Sequence, residues 1–308
     1  MIVVAGEALV DLVPVTDGEL ADLAPRLGGG PYNVAVAAGR LEAPVSFLSR
    51  VSTDLFGEKL VERLHASGVS TDLVQRGPEP TTLAVVGLAD DGSARYSFYT
   101  EGTADRLVDD PGPLPEGTRA VSFGTLSLVL EPGATTYENV LCREAERGVL
   151  TVLDPNIRAG LIPDPDAYRR RFRAWLPDVG LLKVSVEDAK WLAEDGDVIE
   201  IAGEWLRQGP AAVVLTKGGD GLAVLTPEGL TEVPPTKVDV VDTIGAGDTV
   251  QGALLAWLHH HDALSIEKVR ALTTNEWTRA LTYAGAAAAI TCSRAGAEPP
   301  FASELTVD

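Results

Sequence analysis

Short apolar runs recur along the chain, separated by longer stretches in which apolar positions return every three or four residues. Ile2–Ala5, Val45–Leu48, Ala120–Phe123, Leu150–Leu153, Leu181–Val184 and Ala212–Leu215 are the clearest of these runs. Near-continuous apolar character over four residues suits strands buried on both faces. Several are followed by amphipathic stretches that open on capping residues, as from Ser185 to Asp188. Strands alternating with helices predict an α/β fold with a mainly parallel central sheet. Ligands of such sheets usually bind beyond the carboxyl ends of the strands. No internal repeat, linker or low-complexity tract interrupts the pattern.

Two stretches depart from it. Val10–Leu27 is broken by Pro14, Asp17, Gly18 and Pro25. Thr82–Thr100 reads as two strands around a turn at Asp90-Asp-Gly92, with only partial alternation over Ala94–Tyr99. These predict strands outside the main sheet, either a small antiparallel flap over a cleft or an edge hairpin with no further role.

Composition narrows the class. The 308 residues are enough for one large domain or two modest ones, and 45% are hydrophobic, which supports a sizeable core. A formal net charge of -20 argues against binding to nucleic acids or anionic membranes. It leaves room for an anionic ligand held by local backbone donors. Cys142 and Cys292 have neither disulfide-framework nor metal spacing and read as packed, reduced thiols. The first residues read as a core strand rather than a signal peptide. The longest apolar run, near Tyr283–Ile290, is too short to span a bilayer. A soluble, cytoplasmic protein is expected. His259, His260 and His261 read as solvation of a helix end rather than a metal site.

The most telling run is Asp242-Thr-Ile-Gly-Ala-Gly-Asp248, which leads into the helix-forming stretch Ala253–Leu258. Gly245 and Gly247, on either side of Ala246, let backbone amides crowd together at a helix start. Those amides and the helix dipole make an anion site. A carboxylate at Asp248 cannot attract an anion, but it can accept a proton from a hydroxyl attacking phosphorus. The amides would then stabilise charge on the transferred group. No Gly-x-x-x-x-Gly-Lys-Ser/Thr run is present, which disfavours a P-loop enzyme.

This run resembles the C-terminal signature of the ribokinase-like, or PfkB, carbohydrate kinases. Gly28-Gly-Gly-Pro-Tyr-Asn33 and the Val/Ala stretch after it resemble the family's other signature, and the resemblance extends over essentially the whole chain. It implies a three-layer α/β/α fold over residues 1–308, with lid segments near 10–27 and 82–105 forming a small β subdomain. It also implies ATP as phosphoryl donor, Asp248 as base and the Gly245–Gly247 amides as anion hole.

On the sugar side, the resemblance assigns hydroxyl recognition to Asp11, close backbone approach to Gly28, Gly29 and Gly30, and polyol bonding to Asn33. Asp154-Pro-Asn-Ile-Arg158 is similar to a run common in fructokinase-like members, where Arg158 would bridge sugar and phosphoryl group. Phe98 would pack on the sugar. Related fructokinases often carry Arg right after the Phe-Tyr pair, where this chain has Thr100. On the nucleotide side, Thr216, Gly218 and Gly221 match the family's Thr-x-Gly-x-x-Gly segment. Lys217 is a further charge candidate and Lys183 matches a fructokinase-like lysine. Ser185 and Asp188 replace the family's Asn and Glu, with Glu187 adjacent. These two carboxylates are implied to hold Mg2+ through water, although a plain capping box explains Ser185 and Asp188 equally well. A K+ site is implied at Asp242, Ile244, Thr291, Arg294 and Gly296, mainly through carbonyl oxygens.

The expected reaction is phosphorylation of a sugar primary hydroxyl, with D-fructose first. Ribose, 2-keto-3-deoxygluconate or a nucleoside are alternatives on the same fold. An acidic acceptor would want an extra cation, for which Arg26, Arg95 and Arg106 are the lid candidates. A sugar-binding regulator is the non-enzyme alternative, and a homodimer through the lid is expected.

Overall fold

The computed structural model describes residues 1–16, 21–88 and 94–306. The turn expected at Asp90–Gly92, and Asp17 and Gly18, lie outside the described residues. In chain order the strands are β1 (Ile2–Ala5), β2 (Leu9–Pro14), β3 (Leu23–Gly28), β4 (Val45–Ser52), β5 (Val69–Ser70), β6 (Val74–Gly77) and β7 (Thr82–Leu88). They continue with β8 (Ala94–Tyr99), β9 (Ala120–Gly124), β10 (Leu150–Asp154), β11 (Leu181–Ser185), β12 (Ala212–Thr216), β13 (Leu222–Thr226) and β14 (Gly229–Val233). The helices are α1 (Gly30–Arg40), α2 (Leu55–Ala66), α3 (Gly133–Glu146), α4 (Pro165–Trp175) and α5 (Val186–Ala193). They end with α6 (Val198–Leu206), α7 (Ala246–His260), α8 (Ile266–Ala271) and α9 (Thr274–Cys292).

All six apolar runs singled out above are strands of one sheet, in the order β14-β13-β12-β11-β10-β9-β1-β4-β5, with β6 also on β4. Pairing is parallel from β12 to β5, and only the β12–β13–β14 edge is antiparallel. The runs are apolar throughout because each face carries its own core. Ile2 and Val4 join the core under α1, α7 and α9, whereas Val3 and Ala5 join the one under α3, α4 and α6. This is the period-two alternation of a strand covered on both sides. Among the described residues no helix is long and apolar enough to cross a membrane.

The two irregular stretches form a separate four-stranded sheet, β3-β2-β7-β8. It is not purely antiparallel: β2 and β7 run parallel, in register from Leu9–Thr82 to Leu12–Val85. This sheet is fed by chain leaving β1 and β6, and its Leu9, Asp11 and Phe98 share a cavity with Glu7, Thr125 and Asn156, which follow β1, β9 and β10.

One packing contact sets the site. A Cβ on Gly252 would lie 2.6 Å from Ala37 Cβ and 2.8 Å from the Val34 carbonyl oxygen. Glycine there lets α7 lie directly on α1. The first turn of α7, with Asp248, is thereby carried to the first turn of α1, with Asn33.

Candidate active site

Two cavities meet at the start of α7. The first, about 310 Å³, lies between the small sheet and the strand ends and is lined by Asp11, Gly29, Gly30, Asn33, Phe98 and Asp248, among others. The second, about 490 Å³, is bounded by Lys183, Ser185, Glu187, Asp188, Thr216, Gly218 and Gly221, with Val238, Val240 and Ala289 opposite. Asn156, Arg158, Thr243 and Gly247 border both. A group passing from one cavity to the other crosses there.

The local geometry follows from the glycines. Gly245 caps α7 with φ 76, and its missing Cβ would be 2.5 Å from Ala297 Cβ. Any side chain at this position would be both strained and obstructed. The Thr249 amide makes the first helical bond, to the Gly245 carbonyl. The Gly247 and Asp248 amides find no acceptor among the described residues, as expected for a first turn. Ala246 differs from the sequence expectation. Its amide donates to the Thr243 carbonyl at 3.2 Å, so it is not free to serve an anion hole.

Asp248 is 8% exposed and its Oδ2 accepts from Asn33 Nδ2 at 2.9 Å. Burial raises its pKa to about 6, against the lowering influence of the Asn33 bond and of Lys183. Asp11 is likewise raised to about 6, first by burial and then by the charge of Asp248. Gly28 does not border the cavity. A Cβ there would sit 2.4 Å from Asp11 Oδ2, so this glycine makes room for the Asp11 carboxyl. Gly29, with φ 112, and Gly30 bring the backbone against the sites of Glu7 and Thr125.

Lys183 Nζ lies 2.5 Å from Asp154 Oδ2, with both side chains buried. A methyl group placed on Gly247 would sit 3.1 Å from the same Nζ. Lys183 therefore stands at the helix start, on the wall of the second cavity. Arg158 is exposed and folds back onto Asn156, donating to its Oδ1 at 2.8 Å. Ser185 caps α5 by accepting from the Asp188 amide at 3.0 Å, and Asp188 Oδ1 accepts from the Ile157 amide at 3.1 Å. Only the Ser185 half of the expected capping box forms, because the Asp188 carboxylate braces the Arg158 loop instead, while exposed Glu187 is the freer carboxylate on the cavity wall.

Lys217 is a correction. Its Nζ pairs with Glu232 Oε1 at 2.7 Å on the β12–β14 edge, and it does not border the nucleotide-sized cavity. Arg106 is tied to Glu101 and to the Thr100 and Glu131 carbonyls, and neither it nor Arg26 borders the first cavity. The Arg95 side chain lies outside the described residues. At the expected K+ position, Asp242 Oδ1 accepts from the Ile244 amide at 3.0 Å and Oδ2 from the Gly296 amide at 2.8 Å. The two loops are therefore held together by the Asp242 side chain. Thr291 is buried, with its hydroxyl on Thr249, and Arg294 pairs with Glu304.

Several lining residues escaped the sequence reading. Glu7 is buried, with Oε1 on the Gly30 amide at 3.2 Å and Oε2 on the Ser127 amide at 3.0 Å. It joins the glycine turn to the opposite wall, and burial raises its pKa to about 8. Tyr96 stacks near Phe98 with ring centroids 5.9 Å apart. Thr125 and Asn156, at φ 57 and 40, hold non-glycine residues in the left-handed region, with Asn156 Nδ2 3.2 Å from Thr125 Oγ1. Such conformations cluster at ligand clamps. Of these, Asn156 lies inside the Asp154–Arg158 run, whereas Glu7, Tyr96 and Thr125 had no motif to flag them.

A helix start that borders two cavities, with a buried carboxylate lining the first, suits a phosphotransferase-type site on an α/β sheet. The pfkB family carbohydrate kinase model matches residues 1–304, and the chain belongs to that family. A fructokinase of Rhizobium leguminosarum bv. trifolii is 40% identical over 276 residues, 88% of this chain and 84% of that protein. Fructokinase-2 of Zea mays is 31% identical over 319 residues, covering 99% of this chain and 92% of its own. The crystal structure of a Xylella fastidiosa fructokinase with bound ATP superposes with a TM-score of 0.85 at 26% identity, covering 96% of this chain and 93% of that one.

Proposed function

We propose that the protein transfers the γ-phosphoryl group of ATP to the primary hydroxyl of a free sugar, with D-fructose, giving fructose 6-phosphate, as the first acceptor. The observation that carries this reading is the start of α7, where unpaired amides lie at a turn whose Gly247 borders both cavities and whose Asp248 lines the first. The 40% identical Rhizobium fructokinase favours fructose among sugars. A neutral acceptor agrees with the lining of the first cavity, where Arg158 is the one cation among the described residues.

In this reading Asp11 and Asn33 bind sugar hydroxyls, Phe98 and Tyr96 pack on the ring, and Gly29 and Gly30 let it approach the backbone. The second cavity takes ATP, with the Val238, Val240 and Ala289 wall for the base and Thr216, Gly218 and Gly221 near the phosphates. Asp248 accepts the proton of the attacking hydroxyl. The sugar oxygen bonds to the γ-phosphorus as its bond to the β-phosphate oxygen breaks, and ADP leaves. The Gly247 and Asp248 amides, Lys183 and an unfolded Arg158 stabilise the transferred charge. Mg2+ would be carried mostly by the phosphates and held through water by Glu187 and Asp188, where it would neutralise phosphate charge. K+ would be held by carbonyl oxygens of the Asp242–Ile244 and Thr291–Gly296 loops, which the Asp242 side chain ties together. Closing of the small sheet excludes water so that ATP is not hydrolysed instead. Its exposed Tyr96 and Tyr99 support a homodimer formed through it. Two free thiols suit the cytoplasm.

The test is an ATP-consumption screen over fructose, ribose, 2-keto-3-deoxygluconate and nucleosides. Fructose should turn over fastest, and no turnover with any hydroxyl acceptor would reject the kinase. The same assay with K+ replaced by a bulky organic cation should run slower, and an unchanged rate would reject the cation site. Sedimentation of the wild type against Tyr99→Glu should show loss of a dimer.

A further inference from the structure

A smaller space adjoins Asp248, walled by Pro31, Val34 and Phe123 and by the polar residues Ser122, Asp154 and Gln251. Its volume is about 10 Å³, room for one water. Asp154 is 4% and Gln251 2% exposed. Asp154 Oδ1 and Gln251 Oε1 are both buried acceptors with no protein partner among the described residues. Leaving two such acceptors unpaired costs their full desolvation. Gln251 Nε2 donates to Ser122 Oγ at 2.7 Å, which leaves the Ser122 hydroxyl proton free to donate in turn.

We propose that this space is a binding site for one buried water, and that Gln251 acts through it as a positioning residue for the Asp154–Lys183 pair. The donor count fits a water. Its two protons satisfy Asp154 Oδ1 and Gln251 Oε1, and its oxygen accepts from Ser122 Oγ. A cation has no call there, because Lys183 already neutralises Asp154 through the other carboxylate oxygen. With both oxygens bound, the Asp154 carboxylate cannot swing, and Lys183 stays beside Gly247. The positioning role rests on the kinase reading; the water site does not. Loosening Lys183 would disturb the transferred phosphoryl group and leave the sugar contacts of Asp11 and Asn33 untouched.

The experiment is a crystal structure of the wild type and of Gln251→Met, with steady-state kinetics on both and on Ser122→Ala. The wild type should show a density peak within hydrogen-bond distance of Asp154 Oδ1 and Gln251 Oε1, and Gln251→Met should lose it. In that variant kcat should fall on the order of 10-fold, short of the ~100-fold that a 1 Å misplacement costs, while KM for the sugar stays the same. Ser122→Ala, which removes one oxygen and adds no bulk, should move kcat in the same direction. An empty space, or a Gln251 amide bonded directly to Asp154, would overturn the site. Unchanged kcat in both variants, or a rise in sugar KM matching the fall in kcat, would overturn the positioning role. If no acceptor is phosphorylated at all, the kinase reading fails and the density alone still decides the water.

Discussion

Asp248→Asn should lower kcat by at least ~100-fold, the low end for removal of a general base. The amide has nearly the shape of the carboxylate, and its oxygen can still accept from Asn33 Nδ2. Binding of sugar and ATP, read by calorimetry, should therefore persist while turnover is lost. A variant with full activity would reject Asp248 as base. The pH profile adds a second check. Burial raises the Asp248 pKa to about 6. The base works when ionised, so wild-type kcat/KM should fall as pH drops through that region. Asp11 titrates near 6 as well, so the free enzyme's acid limb carries both groups. In Asp11→Asn the limb should remain, now set by Asp248 alone. Its disappearance there would assign the limb to substrate binding.

Lys183→Met should be the most destabilising single change at the site. Asp154 and Lys183 are both buried and pair at 2.5 Å. Removing the cation leaves a buried carboxylate without its counter-charge, a loss of about 3–5 kcal/mol. The denaturant midpoint should fall accordingly, with the slope unchanged. Adding Asp154→Asn should recover most of that loss, because the stranded charge is gone. Activity should not return with it, since Lys183 itself stands beside Gly247. A midpoint unmoved by Lys183→Met would mean that Asp154 is not carrying a charge in the folded protein.

The readable parts of the site were those in which chemistry and spacing coincide within a few residues. The Gly245–Asp248 run announces a helix start with free amides and a carboxylate, because only glycine tolerates that backbone. The Gly28–Asn33 turn is legible for the same reason. Where the reading fell short, the deciding contact lies elsewhere in the chain. Ala246 sits in the middle of the motif, yet its amide is taken by Thr243. Lys217 follows a strand end like a phosphate ligand, but Glu232 on β14, two strands along the sheet, draws it away. Glu7 and Tyr96 carry no spacing signal at all, since a buried acid looks like any other until its partners are known.

By itself the sequence determined the α/β alternation, the strands buried on both faces and the placing of a glycine-flanked helix start beside a carboxylate. These follow from local periodicity and from the conformations open to glycine, which neighbours in sequence dictate. Only the tertiary structure decided which side chains meet: Asn33 with Asp248, Lys183 with Asp154, Glu7 with both walls of the cavity. Those partners are separated by tens to hundreds of residues and are joined by strand order and by the close approach of α7 to α1. Such contacts depend on where whole elements pack, and no pattern along the chain encodes them.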